Sequence, residues 1–145
     1  MAEVFARYRV EYLIIGKSGA ILHGFPDTTQ AIDVFPKNTP ENGRRMVAAL
    51  RALGFEVDPP LEAAIVQGKD FIQLRGDPVD VDLVFAPDGL ASFAVTQQRA
   101  TTVERLYPVA AIEDIIASKR RAGRQKDRDV LERLEAFATY LRQRR

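Results

Sequence analysis

Cysteine is absent from this chain, which removes disulfide frameworks and thiolate metal centres from consideration. Histidine occurs once, at His23, too sparse for an imidazole metal cluster, so a packed or hydrogen-bonded ring is expected there. No apolar run approaches the length that spans a bilayer. Residues Ala2 to Arg9 alternate charged and apolar types and form no basic-then-apolar leader, so a cytoplasmic protein without a membrane segment is expected. Internal repeats are also missing, which sets solenoids and arrays aside.

What remains is ordinary globular material. An apolar fraction of 46% and a charged fraction of 28% exclude disordered and fibrous classes. A length of 145 residues suits one domain with a sizeable core, here expected over 1–145 with a core at about 10–109 and C-terminal helices at about 110–142. Net charge is only +1 but unevenly placed. From Arg120 to Arg145 nine basic residues stand against four acidic ones, a pattern that attracts polyanions or simply solvates a helix through ion pairs.

Periodicity and turn chemistry predict alternating strands and helices. Tyr12 to Ile15 is an apolar strand, Gly16 to Gly19 a turn, and Ala20 to His23 a short helix stopped by Gly24 and Pro26. A strand carrying Asp33 follows, and then Thr39 and Pro40 open a helix whose apolar residues Met46, Val47, Leu50 and Leu53 recur until Gly54. A strand is predicted near Phe55 to Val57, broken by Asp58-Pro59-Pro60, and a hairpin from Asp70 to Arg75 and Val79 to Phe85 around Gly76-Asp77-Pro78. One short strand is expected within Ala100 to Val109. A helix with Ile112, Ile115 and Ile116 comes next, interrupted by Gly123 before a last helix bearing Val130, Leu134, Phe137 and Leu141. The fold class is therefore α/β, a mixed sheet flanked by helices. Phe25, Phe71 and Phe85 are expected in its core.

Two stretches suggest chemistry. A turn opening a helix at Gly16, Lys17 and Ser18 offers free backbone N–H groups to an anion, and Asp33 returns nearby on the next strand. In Val79-Asp80-Val81-Asp82-Leu83 the alternation puts Asp80 and Asp82 on one face, where adjacent carboxylates repel and invite a cation.

The pattern Gly16-x-Ser18 followed by Ala31-x-Asp33 resembles the DNA polymerase β-like nucleotidyltransferase superfamily, in which Gly-x-Ser precedes Asp-x-Asp on the next strand. The stretch Gly24-Phe25-Pro26-Asp27-Thr28-Thr29-Gln30 looks most like its small toxin-like, abortive-infection-type or minimal members, and the resemblance covers Tyr12 to about Leu134. Two positions depart from the pattern: Ala31 stands where an acid is expected, and Asp27 where a base is common.

By that resemblance, Asp33 and Asp82 would ligate Mg²⁺, with Asp80 the rival of Asp82 for the third carboxylate. Gly16, Lys17 and Ser18 would bind the phosphates of a nucleoside triphosphate. Lys119 would neutralise triphosphate charge, and Arg124 and Lys126 would hold phosphate or substrate, with Asp127 capping the helix or orienting Lys126. The implied activity is nucleotidyl transfer to an RNA end, a protein or a small hydroxylated compound, with a cognate toxin or antitoxin protein as a further partner. Ala31 cannot ligate, so either Asp80 substitutes, or the chain is a nucleotide- or partner-binding module, or position 31 has been altered.

Overall fold

The computed structural model describes residues 1–144. Along the chain run α1 (Ala2–Arg7), β1 (Tyr12–Ile15), α2 (Gly16–Leu22), β2 (Ala31–Pro36), α3 (Pro40–Ala52), α4 (Pro59–Gln67), β3 (Phe71–Leu74) and β4 (Asp80–Val84). Then follow α5 (Phe93–Arg99), β5 (Thr101–Val103), β6 (Tyr107–Val109), α6 (Ile112–Ala122) and α7 (Gln125–Gln143). The strands build one mixed sheet in the order β3-β4-β2-β1-β6-β5. The class is the α/β arrangement expected.

Sequence pattern explains each strand's place. Tyr12 to Ile15 are all buried, as a continuous apolar run in the middle of a covered sheet should be. In β4 only Val81 and Leu83 are buried, while Asp80, Asp82 and Val84 on the other face stay half-buried. β2 runs antiparallel to β1 and parallel to β4, so Ile15, Asp33 and Asp82 fall into one row across three strands.

Several expectations need correction. Phe55 to Val57 form no strand; they connect α3 to α4, which press together where Gly43 lacks a Cβ that would come within 2.8 Å of the Val66 backbone. The Val57 carbonyl accepts from Arg51 at 2.8 Å, a side chain in place of a ladder partner. Asp58-Pro59-Pro60 starts a helix instead of merely ending a strand: the Asp58 carboxylate accepts from the Leu61 amide at 2.9 Å, with proline in the first turn. The region Ala100 to Val109 holds two strands, because Glu104 and Arg105 take left-handed conformations and turn the chain into a hairpin. Phe71 is 58% exposed, since β3 is an edge strand whose Ile72 and Leu74 already fill the core; Phe25 and Phe85 are buried as expected. The helices α1 and α5 carry no strong periodic signal, although Ser92 caps α5 by accepting from Val95 at 3.2 Å.

One polar side chain stitches the core edge. Asn42, on α3 and 1% exposed, accepts from the Glu11 amide at 2.8 Å and donates to the carbonyls of Glu11 and Lys37 at 2.8 and 2.9 Å. It thereby satisfies backbone groups on both chain segments that flank the β1–β2 pair. Asn42→Ala should destabilise the fold by about 2–4 kcal/mol, against about 1 kcal/mol for loss of the Thr39 cap that accepts from the Asn42 amide. Urea denaturation of the two variants checks the ranking, and equal losses would contradict this role for Asn42.

Candidate functional site

The register of β2 and β4 places Asp33 directly opposite Asp82, and in a parallel pair residues in register project to the same face. Their carboxyl groups lie within hydrogen-bonding reach of each other. Burial first, and then the Asp82 charge, pushes Asp33 up to about 6, while Lys119 and Lys126 oppose the shift. Asp82 is raised too, by burial and by Asp80, and it is drawn back by Asp33 and Lys126. Burial and the neighbouring charge thus favour the protonated form of both acids over an ordinary carboxylate. Asp82 Oδ1 is buried and has no hydrogen-bond partner.

The Gly-x-Ser segment serves this pair in an unexpected way. Gly16 sits at φ +63°, and a Cβ there would collide with the Asp33 carboxylate, so glycine is needed for both conformation and space. Ser18 is buried at 5% exposure, not displayed on an open turn: its hydroxyl donates to the Ile15 carbonyl at 2.9 Å and accepts from the Asp33 amide at 3.0 Å. These residues belong to the first turns of α2, and through Ser18 that helix anchors β2 at Asp33. Lys17 reaches Asp27 at 3.7 Å, where Arg133 also lies at 3.2 Å. The Thr28 amide, then Arg133 and Lys17, hold the Asp27 carboxyl below its usual range.

The C-terminal helices bring the cations. Lys119 on α6 is 3.5 Å from Asp127 Oδ1, and Arg124 contacts Asp127 Oδ2 at 2.7 Å. Burial opposes ionisation of Asp127, but Arg124 and Lys119 prevail and keep its carboxyl below the ordinary value. Asp127 thus gathers Lys119 and Arg124 at the α6–α7 junction, where Gly123 ends α6 in the left-handed region. The expectation that it caps the helix or orients Lys126 missed this partnership; the Arg-x-x-Asp spacing was its one sequence signal. Arg120 pairs with Glu135 and Arg133 stacks 5.2 Å over Phe25, so much of the basic end is internally engaged. Arg145 lies outside the described residues.

Asp80 stands apart. It faces Ala31 in register and accepts from the Gly76 amide at 3.0 Å, on the turn of the β3–β4 hairpin. Among the described residues no three carboxylate or imidazole groups gather closely enough to hold an ion, so the trio of Asp33, Asp82 and Asp80 is not assembled. Two open hollows, of about 200 and 410 Å³, lie away from the pair, one among Phe35, Phe85 and Phe93, the other around His23 and Arg99. His23 itself bonds the Ala110 carbonyl at 2.8 Å, the satisfied role expected of it.

This chain resembles a solved nucleotidyltransferase candidate. That protein, from Thermotoga maritima and provisionally assigned to the activity, shares 15% identity, with a TM-score of 0.48 over 97% of this chain and 89% of its own. So remote a likeness transfers no residue roles. No family profile and no curated protein sequence matches the chain. Among the described residues no helix is long and apolar enough to cross a membrane.

The raised Asp33 carboxyl has a measurable consequence. Between the ordinary carboxylate value of 3.8 and about 6, folded protein retains a proton on Asp33 that the unfolded chain releases. Stability should therefore fall as pH rises through that window. Asp33→Asn should flatten this limb and stabilise the protein at pH 7 by about 1–3 kcal/mol. Chemical denaturation at pH 4.5 and 7 tests it, and identical pH profiles for the two proteins would contradict a raised Asp33.

Proposed function

We propose that the chain moves a nucleoside monophosphate from a nucleoside triphosphate to an acceptor hydroxyl at the Asp33–Asp82 pair. The observation that carries this reading is the in-register acid pair facing Lys119 and Lys126, with one carboxylate oxygen, Asp82 Oδ1, buried and unpartnered. Mg²⁺ is commonly held by one or two carboxylates together with substrate phosphates, so a pair suffices where a trio is missing. Asp33 and Asp82 would hold the ion, which when bound supplies Lewis-acid polarisation and charge neutralisation.

This chain's own residues account for the remainder. Lys119, kept in place by Asp127, and Lys126 present positive charge to the phosphates and to the pyrophosphate that leaves. The acceptor oxygen bonds to the α-phosphorus as the bridging P–O bond to the β-phosphate breaks. The acceptor proton passes to water and on to solvent, because a carboxylate that holds the ion is too weak a base to keep it. Gly16 leaves the Asp33 carboxylate unobstructed, and Ser18 fixes its backbone. An RNA end, a protein side chain or a small hydroxylated compound are the acceptor classes to be tried.

Ala31 favours a second reading, a nucleotide-binding protein that does not catalyse transfer. It sits on β2 two residues before Asp33, on the same face and opposite Asp80, where a third carboxylate would complete the set.

Calorimetric titration with ATP should show binding that requires Mg²⁺, and Asp82→Asn should weaken it at least about tenfold, or about 1.4 kcal/mol. Binding that ignores both the metal and the substitution would overturn the metal-site reading. Ala31→Asp should tighten Mg²⁺-ATP binding and raise transfer of labelled nucleotide to RNA. A folded Ala31→Asp protein that binds Mg²⁺-ATP and transfers nothing favours the non-catalytic reading.

A further inference from the structure

Gly16 brings the start of α2 against the Asp33 carboxylate, so Lys17, the next residue, leaves the backbone beside the acid pair. Its ammonium group reaches Asp27 Oδ2 at 3.7 Å, and Arg133 Nη2 donates to the same oxygen at 3.2 Å. Asp27 is itself pinned, because its Oδ1 accepts from the Thr28 amide at 2.7 Å. One carboxylate oxygen thus draws together a cation from α2 and a cation from α7. Arg133 is held from a second side: its guanidinium lies 5.2 Å over the ring of Phe25, which is buried and packs edge-on against Phe137. The bond to Asp27 uses one nitrogen of a fork with five N–H donors, and both cations remain partly exposed. Ion pairs so placed add little to stability. Helix α7 ties the cluster to the acid pair. Lys126, whose charge acts on Asp33 and Asp82, stands seven residues before Arg133, close to two turns, so both lie on one stripe of α7 about 10 Å apart. Neighbouring acids of α7 are engaged elsewhere: Asp129 accepts from Gln125 at 2.8 Å, and Glu135 pairs with Arg120.

We infer that Lys17 and Arg133, stationed by Asp27, hold the terminal phosphate of the nucleoside triphosphate. The inference rests on the transferase reading for the identity of the ligand, and it adds Arg133 to the residues that meet it. Ser18 is spent on backbone groups of the fold, which leaves Lys17 as the phosphate-seeking side chain at the start of α2. A guanidinium stacked on a buried ring is a preorganised fork for phosphate oxygens, and the lysine beside it adds a point charge. With the α-phosphate at the acid pair, the terminal phosphate extends furthest from it and has more free oxygens than the bridging ones. A diphosphate ends short of the cluster. Asp27 matters because lysine and arginine lose much rotamer freedom when fixed, and its carboxylate has already restricted both. Charge at exposed positions is screened by salt, so this restriction outweighs the repulsion that Asp27 adds.

Calorimetric titration of the full chain with Mg²⁺-ATP, Mg²⁺-ADP and inorganic tripolyphosphate tests the cluster. Arg133→Ala and Lys17→Ala should each weaken Mg²⁺-ATP binding about tenfold and Mg²⁺-ADP binding less than about twofold. Arg133→Lys, which keeps the charge but not the planar fork, should recover only part of the loss. Asp27→Ala makes the cluster more positive, yet it should reduce the preference for ATP over ADP; a greater preference would overturn the stationing role of Asp27. All four substitutions fall on partly exposed side chains, and circular dichroism checks that each variant is folded. If Mg²⁺-ATP binds and responds to Asp82→Asn while Arg133→Ala and Lys17→Ala leave the ATP-to-ADP preference unmoved, the inference falls and the transferase reading stands. If the unaltered chain ignores Mg²⁺-ATP but binds tripolyphosphate in a way that Arg133→Ala abolishes, the cluster stands as a polyphosphate site and the transferase reading falls. Binding of neither ligand overturns both.

Discussion

Two carboxylates held in register on adjoining parallel strands repel one another as soon as both ionise, and burial sharpens that repulsion. The geometry leaves Asp33 and Asp82 few ways to relieve it: share a proton, recruit lysines, or bind a cation. The second is visible in the protein. Lys119 and Lys126 lower the cost of charge on Asp33 but do not cancel it, which is why its carboxyl remains at about 6. A bound cation is what would relieve the rest of that repulsion under the proposed function, and Asp82 Oδ1 is the atom with unused capacity.

Much of the surrounding structure is arranged to keep the pair in place. Gly16 gives the Asp33 carboxylate room, Ser18 ties the Asp33 amide to the end of β1, and the row from Ile15 through Asp33 to Asp82 transmits that position across three strands. On the helical side, Asp127 is nearly inaccessible and draws Lys119 and Arg124 together. A buried acid between two cations specifies where they stand more than it adds stability. On the acid face β2 and β4 are half-buried at Asp33, Asp80 and Asp82, while β3 is exposed at Phe71 and Gln73.

The chain alone determined the class of the fold and the faces on which its acids stand. A continuous apolar run at Tyr12 to Ile15 and strict alternation at Val79 to Phe85 have few other solutions, and both became strands of one sheet. Alternation, a local property, put Asp80 and Asp82 on one face; the match of Asp33 with Asp82 and not its rival came from the resemblance to the nucleotidyltransferase superfamily, and the strand register settled it. Thr39 and Pro40 opened α3 and Gly123 closed α6 for equally local reasons.

What only the tertiary structure decided depends on contacts between distant segments. Ser18 could have been an exposed anion binder; packing of α2 against β2 buried it and turned its hydroxyl to the backbone. Phe71 could have been core, but its strand came to lie at the edge of the sheet, with Ile72 and Leu74 inward. Asp80 shares a face with Asp82 by alternation, yet the hairpin turn takes its carboxylate to the Gly76 amide. Phe55 to Val57 had strand-like composition but became the short connection between the packed helices α3 and α4, with the Val57 carbonyl taken by Arg51. Periodicity says which face a residue occupies; what stands opposite that face is settled by elements dozens of residues away.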